Sequence, residues 1–508
     1  MGSSLGTIII LTIFLSIILI ISIVASRSNV STPDDFYLAN RGLGSIVMVM
    51  TTGASFFSTW TLLGAVGNFY RDGTWFIGFA AWAIVHAIFI WLFGARIWYL
   101  GNRYNFITPG DLMEKYYGDP KIRIVVAIFG MLGLIPVMLI QVTGGASSLS
   151  SLTMGDIPYW VGVLIMGVFV GLIVTLSGGR GAAWGDTFMG FFFGFTLLGI
   201  AITFIYGSGG FSAFQNLEDV IPEVLVNQGN IFGIIELALG LGLAFWVMPH
   251  MWQKFYSASS PITLARTAMV TPFWNSWLMA MCALFIGMLA HTPGLVPNVT
   301  TENSDQIIPL FFADAAPIFG SIVIAAIVAA AISTVNSQLL SSASLIITDI
   351  YARFINPNLS VKKKTWIGRG TVLGLTGLIV IVALFPFAQG FLVPLASLGY
   401  AISIQLVPAV MGPLVWRRAK AKAAFWSIIV GELTLVIVYL IDMPFNIGPG
   451  TAGIIIASLV LVVGSLLSKE ETTPIQHEFH DGLKQALYGE DASKQDQKQP
   501  LQKRGVHS

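Results

Sequence analysis

Thirteen apolar runs separated by short polar segments dominate the hydrophobic pattern of the chain. Each run holds roughly 20 mostly apolar residues, the length of an α-helix that crosses the hydrocarbon core of a bilayer. Because no Lys or Arg precedes the first run, we interpret it as a retained helix rather than a cleaved signal. We predict an all-α polytopic membrane protein with about 13 transmembrane helices. The runs are centred in residues 5–26, 45–68, 73–100, 122–146, 157–177, 184–207, 230–252, 267–291, 316–347, 368–388, 390–413, 423–441 and 450–467.

The overall composition agrees with this interpretation. Only 10% of the 508 residues are charged and 55% are hydrophobic, whereas a water-soluble domain is roughly 25% charged. The formal net charge is +1, so no excess of charge favours nucleic acid as a partner. The single cysteine, Cys282, excludes intramolecular disulfides and cysteine-built metal clusters. We therefore expect the chain to lie in a lipid bilayer and to bind no nucleic acid.

Basic residues are distributed unevenly between the two sets of connections. Every Lys and Arg except Arg71 falls in alternate connections or in the tail after Ser468, while the opposite connections carry acids such as Glu218 and Asp305. Since cytoplasmic loops of membrane proteins collect Lys and Arg, we predict an N-terminus outside and a C-terminus in the cytoplasm. The polar tail is predicted to be a disordered or loosely helical extension.

Motifs of soluble enzymes are absent from the sequence. It contains no P-loop, no dinucleotide-binding glycine motif after a strand, no His-Glu-x-x-His motif and no nucleophile elbow. Its six histidines are scattered, which argues against a histidine-built metal site. We predict that the protein is not an enzyme and has no organic cofactor. Its chemistry is therefore expected in polar groups inside the apolar runs.

A small polar segment interrupts the second run. Residues 51–59 read Thr-Thr-Gly-Ala-Ser-Phe-Phe-Ser-Thr in a run that is otherwise strongly apolar. Such a segment can unwind where its freed carbonyls line a cavity or bind an ion, because an unpaired backbone group in lipid costs several kcal/mol. The alternative is a packing face of small residues, which lets two helices approach closely. The segment alone is compatible with both, and packing is the more common use.

A set of potential oxygen ligands lies in the ninth run. Ala330, Ser333 and Thr334 share one helical face because they stand at i, i+3 and i+4. Ser and Thr hydroxyls in apolar helices bond back toward a carbonyl one turn earlier, so two hydroxyls and the Ala330 carbonyl can cluster. Neutral oxygen sets of this kind suit hard monovalent cations. Hydrogen bonding between helices is the alternative role of the same hydroxyls.

The seventh run contains Gly240-Leu-Gly242, and Glu236 lies one turn earlier. We predict an interruption at the glycine pair. A carboxylate within a span is a functional hypothesis by default, although Glu236 is also near enough to the end of the run to be solvated. Runs 2 and 7 are five apart, so five-helix units beginning there must have opposite orientations, which is the inverted-repeat plan with broken first helices.

Five further motifs occur in order over about residues 35–418. They are Asp35-Phe-Tyr-Leu-Ala-Asn-Arg-Gly-Leu-Gly44, Gly53-Ala-Ser with Trp60, Gly178-Gly179 through Ala183-Trp184 to Asp186, Pro249-His250 through Phe255 and Ala258, and Ala331-Ile-Ser-Thr334 through Ser337, Leu339-Leu340 and Asp349-Ile-Tyr351. Together they resemble the sodium:solute symporter family, which includes bacterial proline, pantothenate and sugar symporters and the animal sodium-glucose cotransporters. Each motif alone is weak, whereas five in family order are specific.

The resemblance implies a leucine-transporter-like 5+5 inverted repeat, with one helix before the repeats and two after them. It also implies a sodium site between runs 2 and 9, formed by the carbonyls of Ala54, Phe57 and Ala330 and the hydroxyls of Ser333 and Thr334. Sodium would be the coupling ion, a small organic solute the second partner, and the protein a functional monomer in a bacterial plasma membrane. The implied division is 1–42 for the first helix and its loop, 43–207 and 208–413 for the repeats, 414–468 for two C-terminal helices and 469–508 for the tail.

Three features depart from the family pattern. Some members carry an acidic residue in the second span where this chain has Phe56, which leaves proton coupling open. Arg180, Gly185 and Met189 replace residues that are common in the motif before the sixth run. Glu236 has no family counterpart from which a role could be carried over.

These observations predict a secondary active symporter that imports a small organic solute with sodium by alternating access. An ionised Glu236 lining the solute pocket would favour solutes with cationic or amine groups. If Glu236 is protonated or lies outside the pocket, a small monocarboxylate remains an alternative solute. The alternatives are a proton-coupled symporter and a transporter-like membrane sensor. Solute contacts are expected beside the interruptions in runs 2 and 7, with Ser58, Thr61, Gln141, Glu236, Trp246 and Asn275 as candidates.

Overall fold

The computed structural model describes residues 2–27, 32–226, 231–315, 317–390, 392–441 and 447–489. The first half contains α1 (Gly2–Ser26), α2 (Pro33–Leu38), α3 (Ser45–Phe56), α4 (Ala65–Asp72), α5 (Trp82–Tyr104), α6 (Pro109–Tyr117), α7 (Pro120–Leu152), α8 (Tyr159–Gly207), α9 (Ala213–Val220) and α10 (Pro222–Leu225). The second half contains α11 (Ile231–Val247), α12 (Pro249–Ser257), α13 (Pro261–Thr271), α14 (Leu278–Leu289), α15 (Ile307–Ala315), α16 (Pro317–Ser344), α17 (Val361–Ala383), α18 (Leu392–Ile404), α19 (Val407–Val415), α20 (Ala421–Leu440), α21 (Pro449–Leu467) and α22 (Pro474–Tyr488).

The number of membrane-crossing segments agrees with the hydrophobic pattern. Among the described residues, nine helical segments are long and apolar enough to cross a membrane, and three bent helix pairs raise the number to twelve. The longest helix, α8, has 49 residues and would extend about 73 Å, more than twice the thickness of the hydrocarbon core. It breaks at Gly178, where φ is +60°. Counting its two halves separately gives the thirteen segments that the sequence predicts.

The break at Gly178 depends on glycine for two reasons. Its positive φ is a conformation that other residues rarely adopt, and a Cβ atom there would lie 3.1 Å from the carbonyl oxygen of Phe36. The short helix α2 therefore packs directly against the break. Arg180 approaches the buried Asp35 carboxylate of α2 at 3.5 Å, so the motif after run 1 and the motif before run 6 form one structural unit.

Runs 2 and 7 both form broken helices. The segments Ser45–Phe56 and Trp60–Asp72 meet at 55°, and so do Gly233–Val247 and Pro249–Ser257. The interruption predicted in residues 51–59 is therefore confirmed, and its position is Phe57 to Thr59. Both five-helix units thus begin with a discontinuous helix, as the inverted-repeat plan requires.

The predicted interruption at Gly240-Leu-Gly242 is wrong in position. Helix α11 continues through both glycines to Val247, and the break occurs at Met248, whose ψ is 136°. Pro249 explains this location, because proline lacks an N–H donor and its ring excludes the residue before it from the helix. Gly242 serves close packing instead, since a Cβ atom there would lie 2.6 Å from the Cβ of Val85.

Helix α16 occupies the centre of the bundle. In the span at residues 318–355, which includes α16, 83% of an 18-residue apolar stretch is buried. The corresponding share for the peripheral α21 is 22%. It packs against α1, α3, α7, α8 and α17. The face that carries Ser333 and Thr334 is therefore surrounded by protein rather than lipid.

The tail contains a packed helix rather than the predicted disordered or loosely helical extension. Helix α22 begins with a capping box between Thr473 and Gln476, which satisfies N–H groups at its first turn. Phe479 is fully buried, and its ring stacks 4.8 Å from that of Tyr104. Leu483 lies one turn later on the same face and is also buried. This short apolar stripe holds the helix against α5, α6 and α19; residues 490–508 lie outside the described part of the chain.

Candidate cation-binding site

The break after α3 leaves two carbonyl groups without backbone partners. Phe57 has an extended ψ of 104°, while its N–H still donates to the Gly53 carbonyl. Among the described residues, no backbone N–H donates to the carbonyls of Ala54 or Phe57; the next amides, those of Thr61 and Leu62, donate to Ser58 instead. Both carbonyls are therefore available to other partners in a completely buried position.

Helix α16 places two hydroxyl groups against these carbonyls. The Ser333 Oγ lies 2.9 Å from the carbonyl oxygens of both Ala54 and Ala330. The Thr334 Oγ1 lies 3.0 Å from the Ala330 oxygen, 3.3 Å from the Phe57 oxygen and 3.4 Å from the Ala54 oxygen. The five atoms predicted to bind sodium thus form one compact cluster, contributed by α3, its break and α16.

This cluster has more acceptors than donors. Each hydroxyl carries one hydrogen, so Ser333 and Thr334 can donate to only two of the contacts that their oxygens make. None of the three carbonyls and two hydroxyls of the cluster carries a formal charge. A dehydrated monovalent cation would supply the missing positive partner, since neutral oxygens replace its hydration shell without holding it too strongly.

Gln141 of α7 supports the broken end of span 2. Its Oε1 accepts a hydrogen bond from the Thr59 N–H at 3.0 Å and lies 3.0 Å from the Thr59 hydroxyl, which is also 2.9 Å from the Ile140 carbonyl oxygen. Its Nε2 donates to the Val137 carbonyl at 3.1 Å. The Thr61 hydroxyl donates to the Phe56 carbonyl at 3.0 Å. Two of the six predicted solute residues, Gln141 and Thr61, therefore satisfy backbone groups that the break exposes.

The other four predicted solute residues are spread over different surroundings. Ser58 is buried within the break itself. Trp246 is fully buried and packs against the rings of Phe89 and Phe93. Glu236 lines a separate cavity. The side chain of Asn275 lies outside the described part of the chain.

A buried lysine near the cluster was missed by sequence reasoning. The charge pattern predicts that Lys254 of α12 lies in a cytoplasmic connection, yet its Nζ donates to the Thr51 carbonyl and to the Ser55 hydroxyl of α3. The Nζ lies 3.9 Å from the Asp186 carboxylate of α8, which accepts a hydrogen bond of 2.7 Å from the Thr51 hydroxyl. Ser55 in turn lies 3.4 Å from Ser337 of α16. The available signal was that Lys254 stands among Trp252, Phe255 and Tyr256 rather than in a polar loop.

The opposite end of span 2 is held by a second ion pair. Arg71, at the end of α4, donates to the Asp305 carboxylate at 2.9 Å and to the Ser304 hydroxyl at 2.5 Å. The other Asp305 oxygen accepts a hydrogen bond from the Leu392 N–H at the start of α18. Burial raises the pKa of Asp305, and the Arg71 cation and the Leu392 N–H oppose that rise. Span 2 is thus anchored on both sides of the oxygen cluster.

Comparison with known proteins identifies the family. A model of the sodium:solute symporter family matches residues 36–431. The chain belongs to this family. The sodium/pantothenate symporter of Escherichia coli (strain K12) is 27% identical over 483 residues, which cover 90% of this chain and 95% of that protein. The sodium/proline symporter of Salmonella typhimurium is 26% identical over 486 residues, which cover 91% of this chain and 93% of that protein.

Solved structures of distant transporters share the fold. A sodium-coupled sialic acid symporter has a TM-score of 0.80 at 17% identity, covering 91% of this chain and 98% of that one. MHP1, a nucleobase-cation-symport-1 family transporter, has a TM-score of 0.57 at 16% identity, covering 87% and 97%. The predicted leucine-transporter-like fold is confirmed. Membership of the sodium:solute symporter family also confirms the predicted class of function, sodium-coupled solute symport.

Proposed function

We propose that the coupling ion of this symporter is sodium bound by Ala54, Phe57, Ala330, Ser333 and Thr334. The observation that carries this proposal is the compact set of five neutral oxygens with only two donor hydrogens between them. A tightly packed pair of helices would not need to leave the Ala54 and Phe57 carbonyls without backbone partners. The shortage of donors therefore favours the cation over the packing interpretation.

The position of the site explains how an ion would drive a conformational change. Its oxygens come from span 2 and from α16, so a bound ion joins two helices that belong to different repeats. An ion shifts the equilibrium between two conformations only by its difference in affinity for them. Separation of α3 from α16 would divide the ligand set, and sodium would therefore favour the conformation that keeps them together. One charge moving inward along the membrane potential contributes about 2.3 kcal/mol per 100 mV.

The solute site lies, in this proposal, beside the breaks at Phe57–Thr59 and Met248. Broken helices in transporters expose backbone groups at the centre of the membrane, where solute and ion can share the same elements. Ser58 stands at the first break, and Trp246 stands two residues before the second. The relatives named for pantothenate and proline make small organic solutes the first compounds to examine.

The proposed arrangement in the membrane follows from the distribution of charge. With the N-terminus outside, Arg71 and Asp305 lie on the outer side, and the Lys254–Asp186 pair and α22 lie toward the cytoplasm. The protein would act as a monomer in a bacterial plasma membrane, with repeats over residues 43–207 and 208–413. Sodium entering down its gradient would drive import of the solute.

Proton coupling is a second candidate because of one observation. Lys254 and Asp186 are two ionisable groups buried beside the oxygen cluster, and buried ionisable groups in membranes often form proton relays. The two candidates differ in the ion gradient that drives uptake. The sodium site predicts dependence on a sodium gradient at constant pH, whereas proton coupling predicts uptake driven by a pH gradient without sodium.

Uptake into proteoliposomes tests the proposed function. The purified chain would be reconstituted and supplied with a panel of amino acids, monocarboxylates, sugars and pantothenate, with sodium or choline as the external cation. We expect at least one solute to accumulate only with inward sodium. Accumulation that is equal with choline, or that follows the pH gradient alone, would contradict sodium coupling.

A further inference from the structure

A cavity lies away from the oxygen cluster. It has a volume of about 570 Å³ and is lined by α11, α18, α20, α21 and the residues just before α18 and α21. None of the five proposed sodium ligands lines it. Its volume falls within the range of roughly 300–1,000 Å³ that is usual for small-molecule sites. Most of its wall is aliphatic or aromatic, including Leu237, Leu395, Leu398, Leu435 and Tyr439.

Aromatic rings separate this cavity from the proposed sodium site. Tyr400 forms part of the cavity wall, and its ring centroid lies 5.1 Å from that of Phe245. The Phe245 ring lies 4.8 Å from that of Phe56 in α3. Two successive ring contacts thus stand between the cavity and the helix that contributes Ala54. A ligand in the cavity would be distinct from the sodium ion and from a solute at the helix breaks.

Among the described residues that line the cavity, one carries a carboxylate. Glu236 of α11 is half-buried, and no hydrogen bond or ion pair involves it anywhere in the described part of the chain. Its carboxylate lies against the backbone at the start of α21, where a Cβ atom on Gly448 would be only 2.1 Å from Oε1. The glycine therefore leaves the space that the carboxylate occupies. A carboxylate surrounded by apolar groups is stabilised by a cationic partner, because its own hydration is reduced.

The residues that line the cavity indicate which charges the bound compound can carry. No Lys, Arg or His is among the described residues that line the cavity. A phospholipid headgroup such as phosphatidylethanolamine would bring a phosphate next to Glu236 with no basic residue to balance it. A compound with one positive charge and no anionic group avoids this repulsion. The aliphatic wall in turn favours an apolar body over a polar one.

We propose that the cavity between α11, α18, α20 and α21 binds a lipophilic organic cation, with its ammonium group against Glu236 and its apolar body between α18 and α20. The site lies toward the edge of the bundle, because two of its walls are α20 and α21, whose spans are only 44% and 22% buried. Such a compound would reach it from the surrounding bilayer. The site is independent of the proposed sodium ligands.

Equilibrium binding to the full chain in nanodiscs tests this proposal. The probe is radiolabelled (4-phenylbutyl)trimethylammonium, and its uncharged isostere with a tert-butyl group in place of the ammonium serves as the neutral comparison. Empty nanodiscs give the background from partition into lipid. We expect one saturable site for the cation, with binding of the neutral isostere weaker by about tenfold or more, as expected for loss of a charge-assisted contact.

Two variants and one matched control locate the site. Glu236→Gln keeps the size of the side chain and should weaken binding of the cation by about tenfold or more. Gly240→Leu places a side chain in the cavity, where a Cβ atom would meet nothing within 4 Å, and should also abolish saturable binding. Glu218→Gln, which removes an exposed acid on α9, should leave binding unchanged.

Three results would overturn the proposal. The first is equal binding of the cation to the wild type and to Glu236→Gln. The second is equal binding of the charged and neutral probes. The third is a site that fills with phosphatidylethanolamine, seen as loss of cation binding when that lipid replaces phosphatidylcholine. The Ser333→Ala/Thr334→Ala variant should still bind the organic cation. This result separates failure of the present proposal from failure of the proposed sodium site.

Discussion

The Oε1 of Gln141 accepts a hydrogen bond from the backbone N–H of Thr59 at 3.0 Å. It also lies 3.0 Å from the Thr59 hydroxyl, whose single hydrogen it shares with the Ile140 carbonyl oxygen at 2.9 Å. Thr59 immediately precedes the second half of span 2, and its N–H lacks the carbonyl partner that a continuous helix would supply. Gln141 therefore provides an acceptor for the Thr59 N–H, which the break at Phe57 leaves without a backbone partner. We therefore expect the geometry of the oxygen cluster to depend on this support from α7.

Replacing Gln141 tests this relationship. Gln141→Leu leaves the buried Thr59 N–H without an acceptor, which should cost about 1–3 kcal/mol of stability and weaken sodium activation. Gln141→Glu keeps an acceptor oxygen at the same position and should preserve more of both properties. Thermal unfolding in detergent and the sodium dependence of uptake are the measurements. Equal behaviour of the two variants would show that the acceptor is not what matters.

The Lys254–Asp186 pair makes a prediction about buried charge. Removing one partner leaves the other unpaired in an apolar interior, so Lys254→Met alone or Asp186→Asn alone should destabilise the protein by about 3–5 kcal/mol. The double variant removes both charges and should lose much less than the sum of the single losses. A double-variant cycle by thermal unfolding measures this coupling. Additive losses would mean that the two groups do not interact.

The docking of α22 should depend on pH through His480. Burial, with the nearby Arg417 cation, lowers the pKa of His480 to about 4, and in a released, solvated tail it would return to about 6.5. Since the docked state binds the proton less tightly, docking is complete above about pH 6.5 and weakens as pH falls toward 4. Hydrogen exchange of residues 474–488, corrected for the intrinsic rate, should show protection decreasing from pH 7.5 to 5.

A substitution at the same position provides the control. His480→Gln removes the titrating ring, so the protection of α22 should change little over this range. The ion pair between Arg103 and Glu478, whose side chains are 42% and 46% exposed, is too solvated to account for a pH effect of that size. Identical pH profiles for wild type and His480→Gln would exclude His480 as the cause.

Patterns confined to one stretch of chain were predictable from the sequence, and contacts between distant stretches were less so. The thirteen apolar runs predict the number of membrane spans. The i, i+3, i+4 spacing predicts that Ala330, Ser333 and Thr334 share one helical face. The carbonyls of Ala54 and Phe57 required the family resemblance, because no local pattern shows which helix lies opposite α16. The hydroxyl–carbonyl contacts that join the two stretches link residues 277 or more positions apart.

The errors also have physical causes. The sequence pattern favours the glycine pair as the helix breaker in span 7, whereas in the structure Gly242 serves close packing and Pro249 ends the helix. Lys254 stands near the end of an apolar run, where a basic residue is normally solvated, and only the fold places Asp186 beside it. The tail has few apolar residues, but Phe479 and Leu483 fall on one face of a short helix and are buried where it docks.

Direct binding of radioactive sodium to the purified protein tests the central claim. Ser333→Ala/Thr334→Ala removes both hydroxyl oxygens of the cluster, while Thr376→Ala removes a buried hydroxyl of α17 that bonds only to its own helix at Val372. We expect saturable sodium binding in the wild type and in Thr376→Ala, and affinity lower by about tenfold or more in the double variant, in line with the loss of two ligands. Unchanged sodium affinity in a folded double variant would contradict the assignment of the coupling ion to this cluster.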